Sequence, residues 1–276
     1  MDLTSTITLN NGIKIPRLGL GTWLSNGKAC EHAVTFALDH GYTLIDTAQA
    51  YENEKQVGRG WKASGKAREA ISITTKIGNT NQGYNRAKRS FEKSLKNLQT
   101  DYVDLLLIHW PNSRKFNETV ETWRAMVGLQ EAGLCRAIGV SNFTIPLLEE
   151  LYRQIDVVPA ANQVEFHPFL YQKELLVYCQ EHQIQIEAYS PLARVKFLDN
   201  PVLETVAQKH GKSPAQVMLA WGLHRQLVVI PKSTHETRIL ENTDVFFALD
   251  EADLTALDRL DRGYRLVKGA WAPPTW

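Results

Sequence analysis

Eight short β-rich runs punctuate the chain: RLGLGTW, YTLIDTA, ISITTKI, VDLLLIHW, CRAIGVSN, AANQVEF, QIEAYSP and LVVIPKS. They are near-continuous apolar stretches, as expected for strands covered on both faces. Helical periodicity fills the spaces between them. In NRAKRSFEKSLKNL, residues Phe91, Leu95 and Leu98 fall on one stripe; in NETVETWRAMVGLQEAGL, Val120, Trp123 and Val127 do the same, and Gly133 suits a C-terminal cap. A strand-then-helix unit repeated eight times in 276 residues predicts an α/β fold of the (β/α)8 TIM-barrel type. Such barrels typically run to about 250 residues as single domains, so residues 1–276 are read as one domain. ITLNNGIKI predicts a β-hairpin ahead of the first unit, turning at Asn11-Gly12. The stretch DNPVLETVAQKHGKSPAQVMLAWGLHR is too long for one crossover helix and predicts two, with Pro214 opening the second. An open doubly wound sheet is the competing architecture. It usually carries an early G-x-G-x-x-G loop, and here Gly19-Leu20-Gly21 is followed by Leu24 where the third glycine belongs.

Composition narrows the function classes. The formal net charge is +1, which offers no broad basic field for nucleic acid, so a charged ligand must be held by a local cluster. Cys30, Cys135 and Cys179 form no C-x-x-C pair and no disulfide framework, which fits a reducing compartment. The start, MDLTSTITLNNG, lacks the order of a signal peptide, and no apolar run approaches the ~18 residues of a membrane span. A soluble cytoplasmic protein is expected, without a membrane or nucleic-acid partner. No long apolar segment demands a second subunit, so a monomer is expected.

In a barrel of this kind the active site forms at the C-terminal ends of the strands. The last polar residues of the runs are Thr22 and Trp23, Asp46, Lys76, His109, Ser141 and Asn142, Gln163, Tyr189 and Ser190, and Lys232 with Ser233. Asp46, Lys76 and His109 end consecutive apolar runs, and Tyr51 follows Asp46 in LIDTAQAYENEKQVG. Each has an ordinary explanation when taken alone. Asp46 suits a turn or helix cap, Lys76 a solvated strand end, His109 a hydrogen-bonded core position and Tyr51 amphipathic packing. Four of them around one rim point instead to proton donation by a phenol. A free tyrosine has a pKa of about 10 and is a poor acid at neutral pH. A nearby ammonium lowers that value, a carboxylate holds the ammonium, and a histidine orients the carbonyl. No side chain of the set is an evident nucleophile, so the attacking species is expected to be a hydride from a cofactor. The eight histidines show no metal-ligand spacing, no H-E-x-x-H occurs, and no Ser/His/Asp elbow is present.

These motifs carry a resemblance. LGLGTW, IDTAQAYENEKQVG, TTKI, DYVDLLLIHWP, IGVSNF, NQVEFHP and IPKSTHETRILEN resemble, in order and over nearly the whole chain, the aldo-keto reductases. Within that family the compact length, SNFTIPLLEE and the ending RLVKGAWAPPTW are most similar to bacterial reductases of 2,5-diketo-D-gluconate and methylglyoxal. The resemblance implies an N-terminal hairpin plugging the barrel base, extra C-terminal helices, and a tetrad of Asp46, Tyr51, Lys76 and His109 with Tyr51 as general acid. It implies NADPH as cofactor. Gly21, Thr22 and Asp46 fall at cofactor-side positions. Ser141, Asn142 and Gln163 fall where the nicotinamide amide is held, and Tyr189 where an aromatic ring stacks on the nicotinamide. Ser190 and Leu192 would line the pyrophosphate. Lys232, Ser233, Thr234 and Arg238 would surround the 2′-phosphate, with Glu241 and Asn242 near the adenine. That cluster makes chemical sense by itself, since a dianionic phosphate calls for a cation, hydroxyl donors and a guanidinium fork. For substrate, the resemblance implies a pocket walled by Trp23, Tyr51, His109 and Trp110 and capped by Trp271, with Trp276 unassigned. The short loop PNSRKFNE after Trp110 fits an open mouth for small polar carbonyls, and Arg114 or Lys115 would attract a carboxylate.

The expected activity is therefore NADPH-dependent reduction of small aldehydes, ketones, dicarbonyls or keto-sugar acids. Two other functions remain compatible with these residues. One is a nicotinamide-nucleotide-sensing subunit with slow or no turnover. The other is a sugar-phosphate isomerase or aldolase on the same barrel, in which Lys76 acts as base or Schiff-base former.

Overall fold

The chain is described by a computed structural model covering residues 1–267 and Ala272. Trp271, expected to cap the pocket, and Trp276, left unassigned, lie outside the described residues.

Strands β1 (Thr6–Thr8) and β2 (Lys14–Pro16) form the antiparallel hairpin, with Ile7 opposite Ile15. Only Gly12 of the Asn11-Gly12 pair is left-handed, at φ +83°, and Leu9 N–H donates to Ile13 O at 2.8 Å. The connection is thus a three-residue loop, not a two-residue turn. All eight predicted runs then appear as parallel strands: β3 (Leu20–Gly21), β4 (Leu44–Asp46), β5 (Ser72–Ile77), β6 (Val103–Ile108), β7 (Cys135–Ser141), β8 (Ala161–Glu165), β9 (Gln185–Tyr189) and β10 (Val228–Val229). They pair in sequential order, β3 to β10. The ends of this sheet meet: Gly19 N–H donates to Val229 O and Val229 N–H to Arg17 O, both at 2.9 Å, and Gly21 N–H donates to Pro231 O at 3.0 Å. A sheet whose first strand bonds to its last is a barrel, which excludes the doubly wound alternative. Gly21 is needed at this seam, because a Cβ there would lie 2.8 Å from Ile230 O.

The helices are α1 (Gly27–Asp39), α2 (Glu54–Ala63), α3 (Tyr84–Leu98), α4 (Phe116–Glu131), α5 (Ile145–Tyr152), α6 (Lys173–Glu181), α7 (Pro201–His210), α8 (Pro214–His224), α9 (Glu236–Glu241) and α10 (Glu251–Asp258). Gly133, at φ +74°, closes α4 as read from sequence: its N–H donates to Gln130 O and Leu134 N–H donates to Leu129 O. The predicted split of the long crossover is observed, and Ser213 and Gln216 form a capping box around Pro214. No helix among the described residues is long and apolar enough to cross a membrane.

Two apolar layers hold the barrel. The outer one packs helix residues such as Phe91, Val120, Trp123 and Trp221 on the outward faces of the strands. The inner one joins Leu44, Leu105, Leu107, Ala137, Ala161 and Val228 to Leu9 and Ile15 of the hairpin. Asn10 Nδ2 donates to Pro159 O and Asn11 Nδ2 to Arg136 O, which pins the hairpin to the N-terminal ends of β7 and β8. That end is closed, so the C-terminal ends of the strands form the open mouth.

After α10 the chain returns to the mouth. Tyr264 N–H donates to Phe169 O at 2.9 Å, and Leu266 and Val267 N–H donate to the two oxygens of Glu165 at 2.7 and 2.9 Å. Glu165 is fully buried at the end of β8 and also receives His167 Nε2 at 3.1 Å. Burial alone would raise its pKa, but the hydrogen bonds from His167, Leu266 and Val267 outweigh it and hold the carboxyl below its usual range. His167 itself is buried in this clamp. Replacing Glu165 by Ala strips two backbone N–H groups of their acceptor, at a cost of about 1–3 kcal/mol per group left unsatisfied. The Leu266 and Val267 amides should then exchange with solvent deuterium at least ~10-fold faster than in the wild type. Unchanged exchange would mean that the segment is held by something else.

Candidate active site

β4, β5 and β6 lie side by side and deliver their last polar residues to the mouth. Lys76 reaches it from β5 and is completely buried. Its Nζ donates to Asp46 Oδ1 and Oδ2 at 2.7 and 2.8 Å and to Thr47 O at 2.8 Å, which uses all three ammonium hydrogens. The Tyr51 hydroxyl is its next neighbour, at 3.5 Å. Tyr51 stands on a short 3-10 turn, Gln49–Tyr51. Gln49 fixes that turn from behind: its Oε1 accepts from Gly78 N and Asn81 Nδ2, both at 2.8 Å, and its Nε2 donates to Ser90 and Ser94. His109 follows β6, with its N–H on Ile77 O at 3.1 Å, and meets the Tyr51 ring edge-on at 5.5 Å. The four residues picked from sequence thus converge on one wall.

Their electrostatics differ from the sequence expectation in one respect. Lys76 was expected to lower the pKa of Tyr51. Here burial pushes the phenol well above its ordinary value, and the charge of Asp46 adds to the rise. Asp46 grips the ammonium through both oxygens, so the pair shows the phenol little net positive charge. Tyr51 is therefore firmly protonated at neutral pH. His109 is pushed down to about 3, first by burial and then by the charge of Lys76, and so is a neutral imidazole. Its Nδ1 is buried without a partner among the described residues.

This wall belongs to a cavity of about 400 Å³ lined also by Gly21, Trp23 and Trp110. Ser141, Asn142, Gln163, Tyr189, Ser190, Leu192 and Lys232 line it too. On that second side the polar groups are interlocked. Ser141 Oγ donates to Gln163 O at 2.7 Å, Asn142 Nδ2 to His109 O at 2.9 Å, and Tyr189 Oη to Asn142 Oδ1 at 2.8 Å. Gln163 Nε2 donates to Asp46 Oδ2 at 2.8 Å, and no described residue donates to its Oε1. The loop after β9 is strained: Ser190, Ala193, Arg194 and Val195 have φ between +47° and +57°, and none is glycine. Arg194 crosses the mouth to stack on the Trp23 ring at 4.5 Å.

Other predicted residues lie beside this cavity, not in its lining. Thr22 is buried and donates its hydroxyl to Asp46 O at 2.9 Å, so it supports the Asp46 backbone. Ser233 is buried and bonded to the His235 backbone, and Asn242 is buried after α9. Thr234 is half-buried, whereas Arg238 and Glu241 on α9 are exposed. Lys232 and Arg238 form no ion pair with a described residue; the acid between them, Glu236, contacts His32 at 2.7 Å. Arg114 and Lys115 are exposed and do not line the cavity. No group of three His, Cys, Asp or Glu among the described residues would hold a metal.

Sequence reasoning missed Glu187, Arg194, Ile230 and Val267. Ile230 and Val267 are ordinary apolar residues with no signal. Glu187 had one: an acid inside the apolar run QIEAYSP, two positions before Tyr189 and hence on the same face of β9.

Comparison with known proteins agrees with this geometry. The family model described as "Aldo/keto reductase family" matches residues 17–262. The chain is 48% identical to a glyoxal reductase of Bacillus subtilis over 96% of this chain and 95% of that protein. It is 43% identical to a methylglyoxal reductase of Yersinia pestis over 96% of each. The Bombyx mori aldo-keto reductase solved in complex with NADP superposes with a TM-score of 0.90 at 34% identity, covering 97% of this chain and 96% of that one. With the barrel, the four converging residues and the family match in agreement, the chain belongs to the aldo/keto reductase family.

Proposed function

We propose that this chain reduces small aldehydes, ketones and dicarbonyls to alcohols with NADPH, and that Tyr51 donates the proton. The observation that carries this reading is the buried contact chain Asp46–Lys76–Tyr51 with neutral His109 beside it on one cavity wall. The residues present suit a nicotinamide dinucleotide. Gln163 Oε1 offers an acceptor for a carboxamide beside Asn142 and Ser141, and the Tyr189 ring offers a stacking face. Ser190 and Leu192 border the pyrophosphate path, and Gly21 leaves room near it. Lys232, Ser233, Thr234 and Arg238 suit a 2′-phosphate, with Glu241 and Asn242 toward the adenine; the two unpaired cations support NADPH over NADH.

When bound, NADPH supplies the hydride. The protein does the rest. His109 presents a neutral N–H to the carbonyl oxygen, and Tyr51 delivers its proton to that oxygen as negative charge develops there. Lys76 sets the position of the Tyr51 hydroxyl, 3.5 Å from its Nζ, and Asp46 holds the ammonium in place through both oxygens. Trp23 and Trp110 wall the substrate end. The cavity volume suits small substrates, and relatives named for glyoxal and methylglyoxal support dicarbonyls. Three free, buried cysteines support a reducing compartment such as the cytoplasm.

Tyr51→Phe should retain NADPH affinity and lose about 10²–10⁴-fold in kcat, the usual worth of a general acid; a rate near wild type in NADPH-oxidation assays would remove Tyr51 from that role. Arg238→Ala should weaken NADPH by about 10–100-fold, as expected for one charge-assisted contact, with NADH little changed. Equal losses for both cofactors, measured by calorimetry, would overturn the 2′-phosphate assignment. Because burial raises the Tyr51 pKa, the acid stays protonated as pH rises. At saturating NADPH and substrate, kcat should stay level from about pH 7 to about 9. An alkaline fall centred near about pH 8 would mean that the Lys76 charge dominates after all.

A further inference from the structure

Glu187 is a buried carboxylate that the reaction above does not use. It lies on β9 inside the barrel, with 1% of its surface exposed, opposite Gln163 of β8 and Val228 of β10. Its Oε2 accepts from Gln163 Nε2 at 3.0 Å, while its Oε1 has no partner among the described residues. A buried acid with an unmatched oxygen is costly, and a glutamine of the same shape would avoid the charge.

The geometry around Gln163 gives a reason for the charge. The side-chain nitrogen of Gln163 has two hydrogens. One goes to Asp46 Oδ2 at 2.8 Å and the other to Glu187 Oε2 at 3.0 Å. Both are held by carboxylates, Asp46 in the cavity lining and Glu187 behind it. The amide is planar, so its Oε1 is turned toward the cavity that Gln163 lines. A reversed amide would set its carbonyl oxygen against two anions, so charge dictates the orientation.

We propose that Glu187 is a positioning residue: with Asp46 it locks the Gln163 amide with its carbonyl oxygen facing the mouth, ready to accept an N–H from a primary carboxamide, and protonation of Glu187 weakens that lock by leaving Asp46 as its one anionic holder. The proposal rests on the reading that Gln163 holds the carboxamide of the cofactor. The charged groups facing Glu187 are Asp46 from β4 and Lys76 from β5; its lateral neighbours Gln163 and Val228 carry no charge. Burial first and the Asp46 charge second push Glu187 up to about 7, against the opposing pull of Gln163 and Lys76. Above that pH the ionised carboxylate demands an N–H and the lock holds. Below it, protonated Glu187 offers an O–H, and the reversed amide is opposed by Asp46 alone. Cofactor affinity should therefore be high above pH 7 and fall as pH drops through it.

The test is calorimetric binding of NADPH from pH 6 to 8.5 to the wild type, Glu187→Gln, Glu187→Leu and Gln163→Ala. Binding of 2′-phospho-ADP-ribose, which lacks the nicotinamide, serves as control. Wild-type affinity for NADPH should rise with pH around neutrality beyond any change seen with the fragment, and Glu187→Gln should remove that extra dependence. Glu187→Leu should weaken NADPH by about tenfold at pH 8, the worth of one net hydrogen bond, and leave the fragment unchanged. Superimposable profiles for wild type and Glu187→Gln, with Gln163→Ala weakened, would overturn the proposal and leave the carboxamide reading intact. Full NADPH affinity in Gln163→Ala would overturn both. Melting temperatures of the four proteins guard against a merely unfolded variant, and the near-isosteric Glu187→Gln keeps the test decisive if Glu187→Leu does not fold.

Discussion

An ammonium group with no exposed surface must be met by charge and hydrogen bonds, or its burial costs several kcal/mol. Lys76 is in that position, and the mouth of the barrel is arranged around its needs. Asp46 gives both oxygens and Thr47 its carbonyl, so the three ammonium hydrogens are satisfied by the end of β4. This requires β4 and β5 to lie side by side, as they do, with Asp46 paired to Thr74 and Lys76 one inward-facing position further along. The barrel closure and the hairpin plug serve the same end. They keep the inner layer dry and leave only the C-terminal mouth open.

The rest of the site follows from that pair. Asp46 has a second task, accepting from Gln163, so the Lys76–Tyr51 side and the Gln163 side of the cavity share one carboxylate. Removing either partner of the pair would leave the other buried and uncompensated, and both sides would lose their reference point. The shared carboxylate also explains the electrostatics. A lysine already neutralised by bidentate contact does little to acidify a neighbouring phenol, and burial then governs Tyr51. The same burial keeps His109 neutral, so the wall of the cavity carries two neutral groups, the Tyr51 phenol and the His109 imidazole, beside the buried ion pair.

Much of this was legible in the chain. The strand runs, the hairpin, the split of the long crossover at Pro214 and the Gly133 cap are local features. Each depends on periodicity or on a residue suited to one turn. The tetrad was legible because barrel topology converts "end of an apolar strand" into "rim of the active site". Less legible were residues whose role depends on a partner far away in sequence. Glu165 looks like part of a strand, and only the returning Leu266 and Val267 amides make it a clamp. Thr22 sits at a strand end like Asp46 and Lys76, yet its hydroxyl turns to the Asp46 backbone. Arg194 reveals itself only through the Trp23 ring across the mouth.

The sequence by itself determined the order of strands and helices, the fold class, and the set of polar residues brought to the mouth. These follow from short-range rules: alternation, helical stripes, caps and the direction of parallel strands. Only the tertiary structure decided how those residues share their hydrogen bonds and charges. Whether Lys76 acidifies Tyr51, which way the Gln163 amide points, and why Glu187 is an acid all depend on distances of about 3 Å between β4, β5, β8 and β9. Electrostatic effects in a buried site vary with such distances and with desolvation, and neither quantity is written in the order of residues along a chain.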